Sequence, residues 1–121
     1  MPSCCTYMYE YCYGLTGTVS LPATKLAEYC YKGMFVNCSG ITDAVVAASS
    51  INYTECCNIL FRDCAHLSSI TVGFTAWQGI RSTVNWVQNV ASNGKFYANS
   101  QLPIEKGTNN IPNLWVVDYT D

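Results

Sequence analysis

The 121-residue chain is poor in charge: 12% of its residues are Asp, Glu, Lys or Arg, about half the roughly 25% of an average globular domain. Six basic residues against eight acidic ones leave a net charge of -2. No basic stripe is available to displace counterions from a phosphate backbone, so nucleic acid is not an expected partner. Long apolar runs are missing too. No stretch nears the ~18–20 residues that span a bilayer, and membrane insertion is not expected. The opening of the chain has no basic start followed by an apolar run, so no secretory signal is readable there. With one histidine, no Cys-x2-Cys pair and no G-x-x-x-x-G-K-[ST] loop, the usual zinc patterns and nucleotide-phosphate cradles fall away. The acidic residues recur at no common offset, so no carboxylate set for Ca²⁺ emerges; Asp43, Glu55 and Asp63 read as solvated surface groups. No metal, no cofactor and no catalytic residue are expected.

What the chain has is apolar content, 50%, and eight cysteines. That much apolar surface excludes disorder, and the length suits one compact unit. The cysteines stand at Cys4, Cys5, Cys12, Cys30, Cys38, Cys56, Cys57 and Cys64. Cys4, Cys30 and Cys56 are 26 residues apart, as are Cys12, Cys38 and Cys64. Met8, Met34 and Leu60 keep the same step, as do Tyr9, Phe35 and Phe61, and Leu15, Ile41 and Leu67, while Leu26 and Ile51 are one residue out of step. A period between 20 and 50 residues signals a solenoid. Three copies run to about Trp77.

The pattern Cys-x3-(Met/Leu)-(Tyr/Phe)-x2-Cys-x2-(Leu/Ile), together with Leu21-Pro22-Ala23-Thr24-Lys25-Leu26 and Met34-Phe35, resembles the BspA-type leucine-rich repeats of gut and oral bacterial surface proteins and of the phages that infect those bacteria. The third copy departs from that family in lacking the Leu-Pro turn after its strand. The resemblance implies an α/β repeat fold, a short leucine-rich-repeat solenoid of about three coils over residues 1–77. A capping segment over 78–121, part of the same compact unit, would close it. It also implies residence at an extracellular surface or in a virion. Asn37-Cys38-Ser39 and Asn52-Tyr53-Thr54 match the glycosylation sequon, but in a bacterial or phage setting that match is usually accidental.

Each unit reads as a strand, such as the β-branched run 67–72, followed by a short helical return, such as 27–35, whose residues are good helix formers up to Gly33. Equivalent residues of adjacent coils would lie ~4.8 Å apart with parallel Cβ vectors, which suits buried free thiols better than disulfides. Cys4, Cys30, Cys56 and Cys12, Cys38, Cys64 are therefore expected as structural thiol ladders. In the cap, Ser82 would start an amphipathic helix carrying Val84, Val87 and Ala91, with Asn93-Gly94 as its stop. Strands at 95–98 and 114–119 would follow as a hairpin, with Phe96, Trp115 and Val117 covering the last coil.

The leading functional expectation is a non-catalytic interaction module for a protein or surface glycan. Thr16, Thr42, Asp43, Ser68 and Thr71 would form a hydroxyl-rich strand face, which could equally be only a solubilising face. The chain begins inside its first repeat, and Tyr7, Tyr9, Tyr11 and Tyr13 crowd that coil. They suit docking or homo-oligomer assembly, or simply complete the first core layer. A structural virion component, such as a head decoration or fibre element acting through oligomerisation, is the alternative. A cysteine-dependent enzyme using Cys64 or Cys56-Cys57 with His66 is a minor one.

Overall fold

The computed structural model describes residues 9, 11–12, 14–22, 31–78 and 81–121. Among the described residues, five strands stand in chain order in one sheet: β1 (Gly17–Leu21), β2 (Ile41–Val46), β3 (Ser69–Val72), β4 (Lys95–Ala98) and β5 (Val116–Tyr119). Every neighbouring pair is parallel. Parallel neighbours need a long crossover between them, and here each crossover is one turn of a β-solenoid of about four turns. The 26-residue period is the strand register: Asp43 pairs with Ser69, and Ser69 with Lys95. Between β1 and β2 a bulge at Gly17/Thr18 resets the register, so that Leu21 pairs with Val46. That 25-residue step matches the one-residue slip between Leu26 and Ile51 in the sequence.

Alternation along each strand sends Ala44, Ile70 and Phe96 inward in one column, and Leu21, Val46, Val72 and Ala98 in a second. Stacking makes each apolar residue cover its counterpart in the next turn, which a single turn could not do for itself.

In their described residues the returns are not helical. Residues 31–37, 54–63 and 81–89 run as successive turns, and two sets of hydrogen bonds alternate along them. Met34, Val36 and Cys38 donate their N–H groups three residues back, to Tyr31, Gly33 and Phe35. The intervening N–H groups leave the coil: Gly33 donates to Asn58 O (2.9 Å), Phe35 to Leu60 O (3.1 Å) and Asn37 to Arg62 O (2.8 Å). Every fourth residue has positive φ, giving Glu55, Ile59 and Asp63 in one turn and Arg81, Asn85 and Asn89 in the next. A left-handed residue at that interval breaks any i→i−4 ladder. Gly, Asn and Asp occupy several of these positions, as their tolerance of positive φ requires, and a β-branched residue at Ile59 is the costly exception.

The helical return expected over 27–35 is therefore corrected for its described part, 31–35; residues 27–30 lie outside the described residues. Local propensity favours a helix there, but a helix would keep all N–H groups within the coil and forfeit the bonds that tie one turn to the next.

Two features of the cap are corrected as well. The helix expected from Ser82 to Ala91 is another such return, continuing the 26-residue register past Trp77 in a fourth turn. Ser82 occupies the Cys56 position and Trp86 the Leu60 position, and Phe61 N donates to Trp86 O (2.9 Å). The expected hairpin is a parallel pair, Lys95 with Val116 through Ala98 with Tyr119, joined by a connection that crosses the end of the stack. Phe96 and Trp115 are buried and Val117 partly so, as expected of residues covering the last coil. Lys106 Nζ caps Trp115 O in that connection.

Candidate functional site

The interior is built of columns, and Cys12, Cys38 and Cys64 belong to one of them. Cys38 Sγ donates to Tyr9 O (2.9 Å), and Cys64 Sγ donates to Phe35 O (3.0 Å), each reaching the preceding turn. Each thiol thus satisfies a backbone carbonyl inside the stack. Burial pushes the Cys38 thiol up and the Cys64 thiol up to about 12. Cys12 sits half-buried at the start of this ladder, and none of the five described cysteines is in a disulfide. Cys4 and Cys30 lie outside the described residues. Ser82, which succeeds Cys56 in the other column, makes the same kind of bond, from Oγ to Tyr53 O (2.9 Å).

We expect a thiol-specific disulfide reagent near pH 8 to reach Cys12 long before Cys38 and Cys64, which should react only as the protein unfolds, because the thiolate is the reactive form and theirs is suppressed. Peptide mapping of the modified sites checks this; equal labelling of Cys12 and Cys64 in the native protein would refute the ladder.

Beside the thiols runs an aromatic column. Tyr9 stacks on Phe35 (5.6 Å, 7° between planes), Phe35 on Phe61 (6.0 Å, 4°), and Phe61 meets Trp86 (6.0 Å, 44°).

Glu55 is corrected from a solvated group to a buried one, 7% exposed. Its Oε1 pairs with Lys32 Nζ (2.8 Å) and its Oε2 with Arg81 (2.9 Å). The hydrogen bond from Lys32, together with the charges of Lys32 and Arg81, outweighs burial and holds the carboxyl below its ordinary value. A carboxyl lowered in the folded state stabilises the fold fully above its unfolded pKa of about 4.3. That contribution is lost as pH falls through the folded value. We expect Glu55→Gln to lower the melting temperature at neutral pH and to flatten the acid loss of stability; parallel melting-versus-pH curves for the two proteins would contradict it. Asp43 and Asp63 are half-exposed; Asp43 Oδ2 accepts from Thr42 Oγ1 (3.0 Å), and Asp63 Oδ1 accepts from Asn89 Nδ2 (2.8 Å).

Thr42 in β2, and Thr16 and Ser68 just before β1 and β3, are exposed; Ser68 N donates to Thr42 O (3.0 Å), while the bulge at Gly17/Thr18 puts Thr16 out of step with Thr42. Thr71 is half-buried in the outward column shared by Ser20, Val45 and Tyr97. Lys95 pairs loosely with Asp118 (3.5 Å) at the far edge. Strand alternation puts Asp43 and Thr71 on the outward face, while Thr42 precedes Asp43 by one residue and Thr16 and Ser68 stand just before their strands. Of the tyrosines, Tyr9 and Tyr11 are 37% and 53% exposed; Tyr7 and Tyr13 lie outside the described residues.

The cysteines singled out for chemistry are enclosed. Cys56, Cys57 and Cys64 have no exposed surface, although the neighbouring Cys57 thiol, with help from Ser82 and backbone hydrogen bonds, pulls the Cys56 thiol below its usual value. The His66 ring is exposed, with Nδ1 2.8 Å from Ser39 O. Among the described residues, no group of three or more His, Cys, Asp and Glu could hold a metal ion, and no helix is long and apolar enough to cross a membrane.

Sequence reasoning missed an open cleft of about 330 Å³ between the fourth return and the connection before β5. Trp77, Gln78, Arg81, Glu105, Asn109 and Asn110 are among the residues lining it. The connection that forms its other side carries no repeat signature, so no periodic signal marked the cleft. The buried roles of Ser82 and Trp86 were available from their 26-residue offsets to Cys56 and Leu60.

No family model, no curated protein and no solved structure matches this chain.

Proposed function

We propose that the chain is a non-catalytic interaction module that presents its outer strand face to a protein or surface glycan at a bacterial or phage surface. The observation that supports this reading most is the exposed pair Thr42 and Ser68, in register on adjacent turns of a parallel ladder, with Thr16 exposed on the turn before, across the Gly17/Thr18 bulge. A ladder of this kind pre-organises its side chains, so little ordering entropy is spent on binding. The enclosure of the thiols supports a packing role over a nucleophilic one. The Cys-x3-(Met/Leu)-(Tyr/Phe)-x2-Cys spacing supports grouping the chain with BspA-type leucine-rich repeats.

Binding of the purified chain to immobilised mucin, intact and enzymatically deglycosylated, tests the reading by biolayer interferometry. Binding to the intact form alone identifies glycan; binding to both identifies protein. The Thr16→Lys/Thr42→Lys/Ser68→Lys variant should bind neither while melting as the parent does. A parent chain that binds neither surface, or a variant that binds unchanged, sinks it.

A second reading, an assembly or virion component, draws on the exposure of Tyr9 and Tyr11 at one end of the stack. Size-exclusion chromatography with light scattering checks it: a concentration-dependent oligomer abolished by Tyr9→Ser/Tyr11→Ser supports it, and a monomer throughout argues against it.

A further inference from the structure

We propose that the cleft between the fourth return and the connection before β5 is a binding subsite for a neutral, hydroxyl-rich ligand, a single pyranose unit in chemical class. This surface is separate from the strand face, and either can fail without the other.

Its volume of about 330 Å³ lies at the small end of the range of about 300–1,000 Å³ for ligand pockets. One lining residue, Trp77, is aromatic and fixed in place. Trp77 Nε1 donates to Pro103 O (2.9 Å), and the indole makes edge contacts with Phe74 (5.2 Å, 71°) and Trp86 (6.1 Å, 73°). A half-buried indole so held offers an apolar surface suited to the C–H face of a sugar ring.

The polar groups are mixed in kind. Gln78 and Asn110 supply amides, Glu105 an acceptor, and Arg81 a guanidinium whose Nη2 is already committed to Glu55 (2.9 Å). Asn109 Oδ1 accepts from Asn85 N (2.8 Å), which leaves the Asn109 Nδ2 as a donor. With Arg81 engaged by a buried carboxylate and Glu105 on the facing wall, the cleft has neither the excess positive charge a phosphate needs nor the carboxylate cluster a divalent cation needs. Donors and acceptors set around a ring-sized aromatic surface suit vicinal hydroxyls.

Both walls are also set before any ligand arrives. Thr83 Oγ1 donates to Asn109 O (2.7 Å), Trp86 Nε1 to Asn110 O (2.8 Å), and Ile111 N to Glu105 O (2.9 Å). Pre-set walls lower the ordering cost of binding.

The test is a ¹H–¹⁵N titration of the full chain with the methyl glycosides of glucose, galactose, mannose and N-acetylglucosamine, each up to about 50 mM, a range that captures millimolar affinities. The expected result is a saturable shift of the Trp77 indole and the Asn109 side-chain amide with at least one glycoside. The Trp115 indole, bonded elsewhere to Ala91 O, should stay still. Gln78→Ala/Glu105→Ala, which alters two exposed side chains, should weaken that response about tenfold, a change of about 1.4 kcal/mol, with the melting temperature unchanged. No saturable shift with any of the four, or a response equal in the variant, would overturn the proposal.

Discussion

Trp86→Ala should cost the protein about 3–5 kcal/mol, the range for removing a large buried aromatic side chain. Trp86 has no exposed surface and meets Phe61 (6.0 Å), Phe74 (6.1 Å), Trp77 (6.1 Å) and Phe96 (6.3 Å). It joins the aromatic column of the repeats to the cluster beneath the terminal connection, and its Nε1 satisfies Asn110 O. Truncation would empty that junction and leave a part-buried carbonyl without its donor. Since a domain of this size has about 5–15 kcal/mol in all, the loss should lower the melting temperature by about 10–20 °C. Trp86→Phe keeps a ring but not the hydrogen bond, and should fall between the two. Thermal melts by circular dichroism decide the matter: a Trp86→Ala protein within about 3 °C of the parent would mean the fourth turn is not packed as described.

Gly94→Ala should be almost as damaging although it adds one methyl group. A Cβ at this position would overlap the Ser68 carbonyl oxygen and lie 2.7 Å from Trp115 Cε2. Neither neighbour can yield cheaply. Ser68 O already accepts from Lys95 N (2.9 Å), and Val116 N donates to Gly94 O (3.0 Å), so three successive strands are tied at this point. Trp115 is held by its indole bond to Ala91 O (2.8 Å). Overpacking of this kind costs about 1–3 kcal/mol and can exceed that where the clash is with backbone. Gly14→Ala is the control, because nothing lies within 4 Å of its Cβ position. It should be neutral or slightly stabilising through the reduced entropy of the unfolded chain. If both substitutions shift the denaturation midpoint alike, the close approach of β3 and β4 at Gly94 is wrong.

These two positions show why the chain was only partly legible. Gly94 reads in sequence as the stop of a helix, since Asn-Gly after an apolar periodic run is what such stops look like. In the structure its role is to let two parallel strands approach, a relation between residues 26 apart that no local window contains. Trp86 likewise reads as part of an amphipathic segment. Its place after Met34 and Leu60 at the 26-residue step is hidden because Trp differs in type from Met and Leu. Repeats decay fastest by residue identity while the packing position persists.

Glu55 was misread for a related reason. A lone carboxylate between Thr54 and Cys56 carries no local sign of burial, and its partners Lys32 and Arg81 come from the turns on either side. Among the residues expected on the strand face, Thr42 and Ser68 keep the 26-residue step between adjacent turns, but the Gly17/Thr18 bulge, which no periodic count reveals, puts Thr16 out of step.

By itself the sequence determined the period, the stacked thiol and aromatic columns and the approximate positions of the strands. All of these follow from equal offsets, and equal offsets survive in one dimension. The tertiary structure alone decided that the returns are chains of turns, that the terminal strands run parallel, and that Glu55 lies inside an ion triad. Each of those depends on where backbone N–H groups and charges find partners in the adjacent turn. That choice is made between turns, where inter-turn hydrogen bonds outweigh the helical propensity of any single segment.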